Sequence, residues 1–150
     1  VEITGQVRTY NESVGGKNKL NVVVFAREIE IVEEGFYYEN YIFLEGFLCK
    51  SPIKRTSPMG RDICDMMLAV NRMYNKSDYI PCIAWGRNAN FAETLTVGTK
   101  VFIEGRIQSR EYKKRLEDGM IEMRKAFEIS ILKLEDEDLC EDEKYMDEFE

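Results

Sequence analysis

Histidine is absent from this 150-residue sequence, proline occurs three times and tryptophan once. Without histidine the chain lacks the commonest general base, proton shuttle and neutral zinc ligand. Four cysteines remain, Cys49, Cys64, Cys82 and Cys140, spaced by 15, 18 and 58 positions, so no CxxC pair exists to build a zinc site. There is no phosphate-binding glycine loop, and no acid cluster suited to magnesium lies in the central part of the chain. No catalytic residue, metal or cofactor is therefore expected, and the cysteines read as small apolar filler. No uncharged apolar run approaches the ~20 residues of a membrane-spanning helix, so no membrane partner is expected. No secretory leader opens the sequence as given, which points to reduced thiols and a cytoplasmic setting.

Positive net charge is also missing, since the formal total is −7. The distribution qualifies that figure. Residues 135–150 hold ten acids against Lys144 alone, and residues 1–40 hold seven acids against four bases. Residues 41–134 reverse the balance, with sixteen bases against eleven acids. A basic body with an acidic tail fits a polyanionic partner better than the total suggests. Apolar residues at 44% and charged residues at 33% exclude a disordered or collagen-like chain. One compact domain is the prior at this length.

The apolar pattern has period two almost throughout. Val1, Ile3, Gly5 and Val7 alternate with polar residues as in a half-buried strand, and the pattern begins without a lead-in. This start suggests a chain cut from something longer. The same nine-residue pattern returns as Val101–Ser109, with valine, isoleucine and glycine at an offset of 100. Each copy continues into a polar loop, Asn11–Lys19 or Lys113–Gly119. A second β-rich run follows, Leu20–Phe25 or Ile121–Ile131, then an acidic close; by then the offset has drifted to about 103. Residues 1–34 thus read as the last third of a domain, a β-hairpin remnant. Residues 35–39 are a linker, 40–134 the complete copy and 135–150 the tail.

In the complete copy Tyr41–Cys49 alternates, with Ile42, Leu44, Gly46 and Leu48 on one face. Lys50–Thr56 is a basic connection and Ser57–Gly60 a turn. Arg61–Tyr74 is a long strand, residues 75–78 a polar loop and Tyr79–Trp85 a third strand. Ala89, Phe91, Ala92 and Leu95 sit on helical spacing, ending near Gly98. Val101–Tyr112 and Ile121–Leu134 are the last strands, joined through Asp118-Gly119. Three strands, a short helix and two strands is the order of the five-stranded OB-fold barrel, an all-β architecture whose helix lies between strands three and four.

Residues 40–134 resemble the bacterial single-stranded DNA-binding proteins of the SSB family. The resemblance rests on Leu44–Gly46, Arg55–Gly60, Leu68–Arg72, Ala84–Gly86 and Glu104–Tyr112 taken together. It implies an OB barrel that binds single strands through stacking aromatics and assembles as a dimer or tetramer. The positions where the family stacks bases align with Tyr74, Tyr79, Trp85 and Tyr112.

Strand parity supplies the same face from the residues alone. Arg106, Gln108, Arg110 and Tyr112 lie opposite the core-like Val101, Ile103, Gly105 and Ile107, and Tyr79 shares parity with Trp85. Arg72 is expected on one face with Tyr74. Lys50, Lys54, Arg55, Arg61, Arg72, Arg87, Arg106 and Arg110 are the candidate phosphate contacts, because each nucleotide adds one charge to be met. Lys113, Lys114 and Arg115 extend that set. Arg8 and Tyr10 repeat the pattern in residues 1–34, either as a vestigial hairpin or as an extension of the DNA path. The apolar face of that hairpin has two expected resting places: the aromatic side of Tyr41–Cys49, or the hairpin of a second chain. Phe43 and Phe47 read as interface rather than base platforms.

Family tails are acidic and recruit partner proteins through a terminal Pro-Phe. This sequence shows none at Glu150, so docking of replication proteins through residues 135–150 and a truncated tail both stay open. The expected function is sequence-tolerant single-stranded DNA binding in replication, repair or recombination. The alternative is an OB-fold protein–protein module akin to a primosome accessory subunit. RNA stays open as the strand, since stacking and phosphate contacts do not read the 2′-hydroxyl.

Overall fold

A computed structural model describes residues 1–33 and 39–137. Eight strands and one short helix follow in order: β1 (Glu2–Val14), β2 (Lys17–Glu30), β3 (Ile42–Leu48), β4 (Ile53–Thr56), β5 (Asp62–Arg72), β6 (Lys76–Trp85), α1 (Arg87–Glu93), β7 (Lys100–Arg115) and β8 (Ile121–Asp136). The larger sheet runs β3-β7-β8-β6-β5-β4, and β3 also pairs with β5 through Phe47 to Ala69 and Leu48 to Leu68. That pairing closes a five-stranded OB barrel of β3, β5, β6, β7 and β8, with α1 between the third and fourth. The alternation in β3 is complete: Ile42, Leu44, Gly46 and Leu48 are buried and the residues between them exposed. Leu68, Ile80, Ile103 and Ile129 fill the interior, with Ala89 and Ala92 of α1 packed on it. Small helix residues let the seven-residue helix lie close to the barrel.

Several boundaries differ from the sequence reading. Ile53–Thr56, expected to be connection, adds β4 to the edge of β5, where Ile53 faces Asp65 and Arg55 faces Ile63. The loop expected at 75–78 is shorter. Arg72 pairs with Lys76, and Tyr74 and Asn75 take positive φ angles of 66° and 57° in the turn. β8 runs on to Asp136, opposite Val101, so Glu135 belongs to the barrel and is buried beside Lys133. The acidic tail therefore starts later than residue 135, and residues 138–150 lie outside the described residues, as does most of the expected linker.

The N-terminal hairpin is longer than expected. The supposed polar loop Asn11–Lys19 is mostly strand, closed by Gly15 and Gly16 with φ of 60° and 79°. Two positive φ values in a two-residue turn match the right-handed twist of the strands. The hairpin reproduces β7–β8 in detail. Thr4 faces Glu28 and Gly5 faces Ala26, which leaves Arg27 as a bulge; Glu104 faces Lys133 and Gly105 faces Ile131, leaving Leu132. The offset is thus 100 in the first strand and 105 in the second. At both glycines a Cβ would come to 2.2 Å from a carbonyl oxygen, of Phe25 or of Ser130, so only glycine fits.

The two copies differ in what covers them. Val101, Ile103 and Ile129 are fully buried, whereas their counterparts Val1, Ile3 and Val24 are 78%, 50% and 48% exposed. A cleft of about 1960 Å³ separates this end of the hairpin from the barrel wall at Ile42, Leu44 and Val70. The middle of the hairpin is docked. Thr9 N–H donates to Asp78 Oδ1 at 2.8 Å, and Tyr79 N–H donates to Thr9 Oγ1 at 2.8 Å. Asp78 is 1% exposed and ion-paired with Arg72. The hairpin therefore rests on β6, and Phe43, on the aromatic side of β3, stays 53% exposed.

Candidate nucleic-acid interface

Alternation along β6 sends Ile80, Cys82 and Ala84 inward and Tyr79 and Trp85 outward. Burial pushes the Cys82 thiol far above its ordinary range and raises that of Cys64, so neither offers a thiolate. Trp85 faces Ile63 of β5, and its Nε1–H donates to Ser130 Oγ at 3.1 Å. Ser130 in turn faces Arg106 of β7. This one hydrogen bond places Trp85 on the same sheet face as Arg106, Gln108, Arg110 and Tyr112. Arg61, the residue before β5, holds its guanidinium 5.3 Å from the Trp85 ring centre, and Arg110 sits 5.9 Å from that of Tyr112. Both are cation–π distances. Tyr79 and Tyr112 are 46% and 37% exposed, so each presents ring surface while anchored in a strand. Tyr79 and Trp85 are roughly 20 Å apart along β6, room for several stacked bases.

Tyr74 stands apart from this face. It lies in the β5–β6 turn, 91% exposed, in a conformation that costs a non-glycine residue free energy. Arg72 does not share a face with it. By parity Arg72 follows Leu68 and Val70 toward the interior, where its Nε lies 2.7 Å from Asp78 Oδ2, off the straight hydrogen-bond direction. The buried carboxylate beneath it turned this arginine inward.

The other expected cations divide in two. Lys54 pairs with Glu93 at 3.4 Å, Arg55 with Asp65 at 2.7 Å and Arg110 with Glu128 at 3.2 Å. The hydrogen bond that Arg55 donates to Asp65, then the fields of Asp65 and Glu128, raise the Arg55 pKa against the effect of burial. Lys50, Arg61, Arg87 and Arg106 have no carboxylate within ion-pair distance among the described residues, and all four are exposed. In the hairpin Arg8 stacks on Phe25 at 3.9 Å and bonds Gln6, while Tyr10 is 54% exposed.

Sequence reasoning missed Ser130, Glu128 and Asp65, which organise this face from below. It also missed Arg124, which faces Tyr112 across the β7–β8 arm. Pairing β7 to β8 outward from the Asp118-Gly119 turn would have brought Arg124 to Tyr112. Nothing in the sequence announces the short parallel pairing of β6 with β8, Cys82 to Ile129 and Ile83 to Ser130, that brings Ser130 to Trp85.

Comparison with known proteins gives a consistent result. The model of the single-strand binding protein family matches residues 39–135. The chain is 35% identical over 83 residues to single-stranded DNA-binding protein A of Bacillus subtilis (strain 168), 51% of this chain and 48% of that protein. It is 36% identical over 80 residues to single-stranded DNA-binding protein 2 of Listeria innocua, 49% and 50% of the two chains. It thus spans about half the length of the curated relatives it matches. Among solved structures, wild-type single-stranded DNA binding protein from Thermus aquaticus matches at a TM-score of 0.68 and 25% identity, over 89% of this chain and 57% of that one. A deletion mutant of that protein matches at 0.70. The family match and everything after it fall short of 89%, so the structural match takes in part of residues 1–38.

Proposed function

The chain belongs to the single-strand binding protein family, and from that premise we propose that its barrel binds single-stranded DNA without sequence preference. One observation carries the reading: Trp85, hydrogen-bonded to Ser130 opposite Arg106, shares an open sheet face with exposed cations, which supports a stacking role for its ring. Bases stack on Trp85, Tyr79 and Tyr112, with Tyr74 reached at the turn. Phosphates meet Lys50, Lys54, Arg55, Arg61, Arg87, Arg106 and Arg110. Arg72 leaves the list, because Asp78 holds it.

The role follows from the binding: the protein protects unpaired strands in replication, repair or recombination, without chemistry of its own, in the cytoplasm. Residues 1–33 are a partial OB repeat, supported by the shared glycine, bulge and register. Arg8 and Tyr10 lie at the positions of Gln108 and Arg110 and offer a second place for the strand. The outward Phe43 and Phe47 of β3 support assembly into a homo-oligomer, and the acidic C-terminal residues serve as a docking segment for replication proteins. Titration with oligo(dT), the matching RNA and duplex DNA, followed by Trp85 fluorescence, tests the central claim. Quenching by the unpaired strands and little change with duplex is expected. Equal response to duplex and oligo(dT) refutes stacking, and no response to any of them favours a protein-binding module.

A further inference from the structure

Two carboxylates, Asp65 and Glu128, stand on a face otherwise suited to a polyanion. Each holds an arginine, but in different ways. Arg55 gives Asp65 both Nε and Nη2, at 2.7 and 3.3 Å. Its planar fork is thus occupied. Arg110 gives Glu128 its Nε alone at 3.2 Å, and Gln108 Nε2 bonds the other carboxylate oxygen at 3.0 Å. Among the described residues neither Nη group of Arg110 has a hydrogen-bond partner, which leaves a fork shaped to grip a phosphate.

Burial separates the two pairs further. The Asp65 side chain is 38% exposed and Arg55 41%, so water can take over either partner when the pair opens. An exposed pair of this kind shifts an equilibrium by at most about fivefold. The Glu128 side chain is 6% exposed, and Arg110 is the one cation within ion-pair distance of it among the described residues. Drawing Arg110 away strands a buried carboxylate, which costs roughly a hundredfold or more. A phosphate can therefore displace Asp65 from Arg55, but it has to come to Arg110 where Glu128 holds it.

We propose that Glu128 is a positioning residue that aims the Arg110 fork at one backbone phosphate, whereas Asp65 competes with phosphate for Arg55. The inference rests on reading this face as the single-strand interface. It predicts opposite signs for the loss of two like charges, where simple repulsion predicts the same sign for both.

The test is oligo(dT) titration of the full chain by Trp85 fluorescence over a salt series. Glu128→Gln keeps the side-chain size but leaves one acceptor oxygen, uncharged, for two donors. It should weaken binding roughly tenfold and make the log–log salt slope shallower by about 0.7, one phosphate contact. Asp65→Asn should tighten binding about two- to fivefold with no shallower slope. Arg110→Lys, which keeps the charge and loses the held fork, should weaken binding as Glu128→Gln does, and the double variant should be no weaker than either single. Arg110→Lys also decides the matter if Glu128→Gln fails to fold: binding equal to wild type then overturns the proposal. Tighter binding by Glu128→Gln overturns it as well, and so do losses that add in the double variant with an unchanged slope. Weaker binding by Asp65→Asn refutes the competitor role. A wild-type chain that ignores oligo(dT) instead refutes the interface reading itself.

Discussion

Replacing Asp78 with alanine should separate the hairpin from the barrel. The carboxylate is 1% exposed, accepts the Thr9 N–H at 2.8 Å and pairs with Arg72 at 2.7 Å. Breaking a fully buried ion pair costs about 3–5 kcal/mol. The Arg72 side chain is 28% exposed, however, and can turn to water, so about 1–2 kcal/mol is a fairer share for that half. The Thr9 amide, in a residue 8% exposed, loses its acceptor and adds about 1–3 kcal/mol. The sum is about 3 kcal/mol, or a melting temperature lower by roughly 10 °C at this chain length. Thermal and urea unfolding followed by circular dichroism measure it. Asp78→Asn keeps an acceptor for Thr9 and should lose about half as much. Thr9→Val removes only the acceptor of the Tyr79 amide and should cost about 1 kcal/mol. Should Asp78→Ala cost less than about 1 kcal/mol, the clasp is incidental and the hairpin is held by something else.

Trp85→Ala and Tyr112→Ala should each weaken oligo(dT) binding by about 1–3 kcal/mol, measured by fluorescence anisotropy of labelled DNA; losses of a few tenths for both would mean neither ring is a platform. Binding should weaken with salt by a log–log slope of about −0.7 for each phosphate neutralised. Removing residues 138–150, seven acids and one base, should tighten binding at low salt and leave it unchanged once screening is strong. Gly105→Ala should destabilise the barrel by about 3 kcal/mol, because the new methyl meets the Ser130 carbonyl. Gly5→Ala meets the same clash in the hairpin and should leave the barrel's main unfolding transition in place.

Much of this fold could be read from period-two alternation, because one buried face forces apolar residues onto every second position. β3, the inward residues of β6 and the Val101–Ile107 face all followed that rule. Gly5 and Gly105 were visible as matched positions, although the bulge that requires them was not. What escaped depends on partners distant in sequence. β4 has no alternation of its own and exists as an edge addition to β5. Arg72 looked like a surface cation because Asp78, six residues on, was assigned to a loop. Glu135 looked like tail, yet the last residues of β8 carry it into the barrel beside Lys133. On that face the rings and cations were legible as types in register, whereas the acids that hold Arg55 and Arg110 became visible only once β4 was paired with β5 and β7 with β8.

The position of β8 also bears on how the chain is made. It is the last strand in sequence, yet it lies between β7 and β6. At about 5–20 residues per second, the 16 residues of β8 take roughly one to three seconds to emerge, and until then the facing edges of β6 and β7 are unpaired. The β1–β2 hairpin, closed by its two-residue turn, is already available during that interval, and β2 carries the register and the bulge of β8. This hairpin, made before β8, is thus a rival for the seat of that strand. Two differences decide against it. Where β8 brings Ser130 to accept the Trp85 N–H and Glu128 to meet Gln108 and Arg110, β2 would bring Phe25 and Val23, which accept no hydrogen bond from any of them. The polar residues that organise the Trp85 face therefore also identify the strand that completes the barrel.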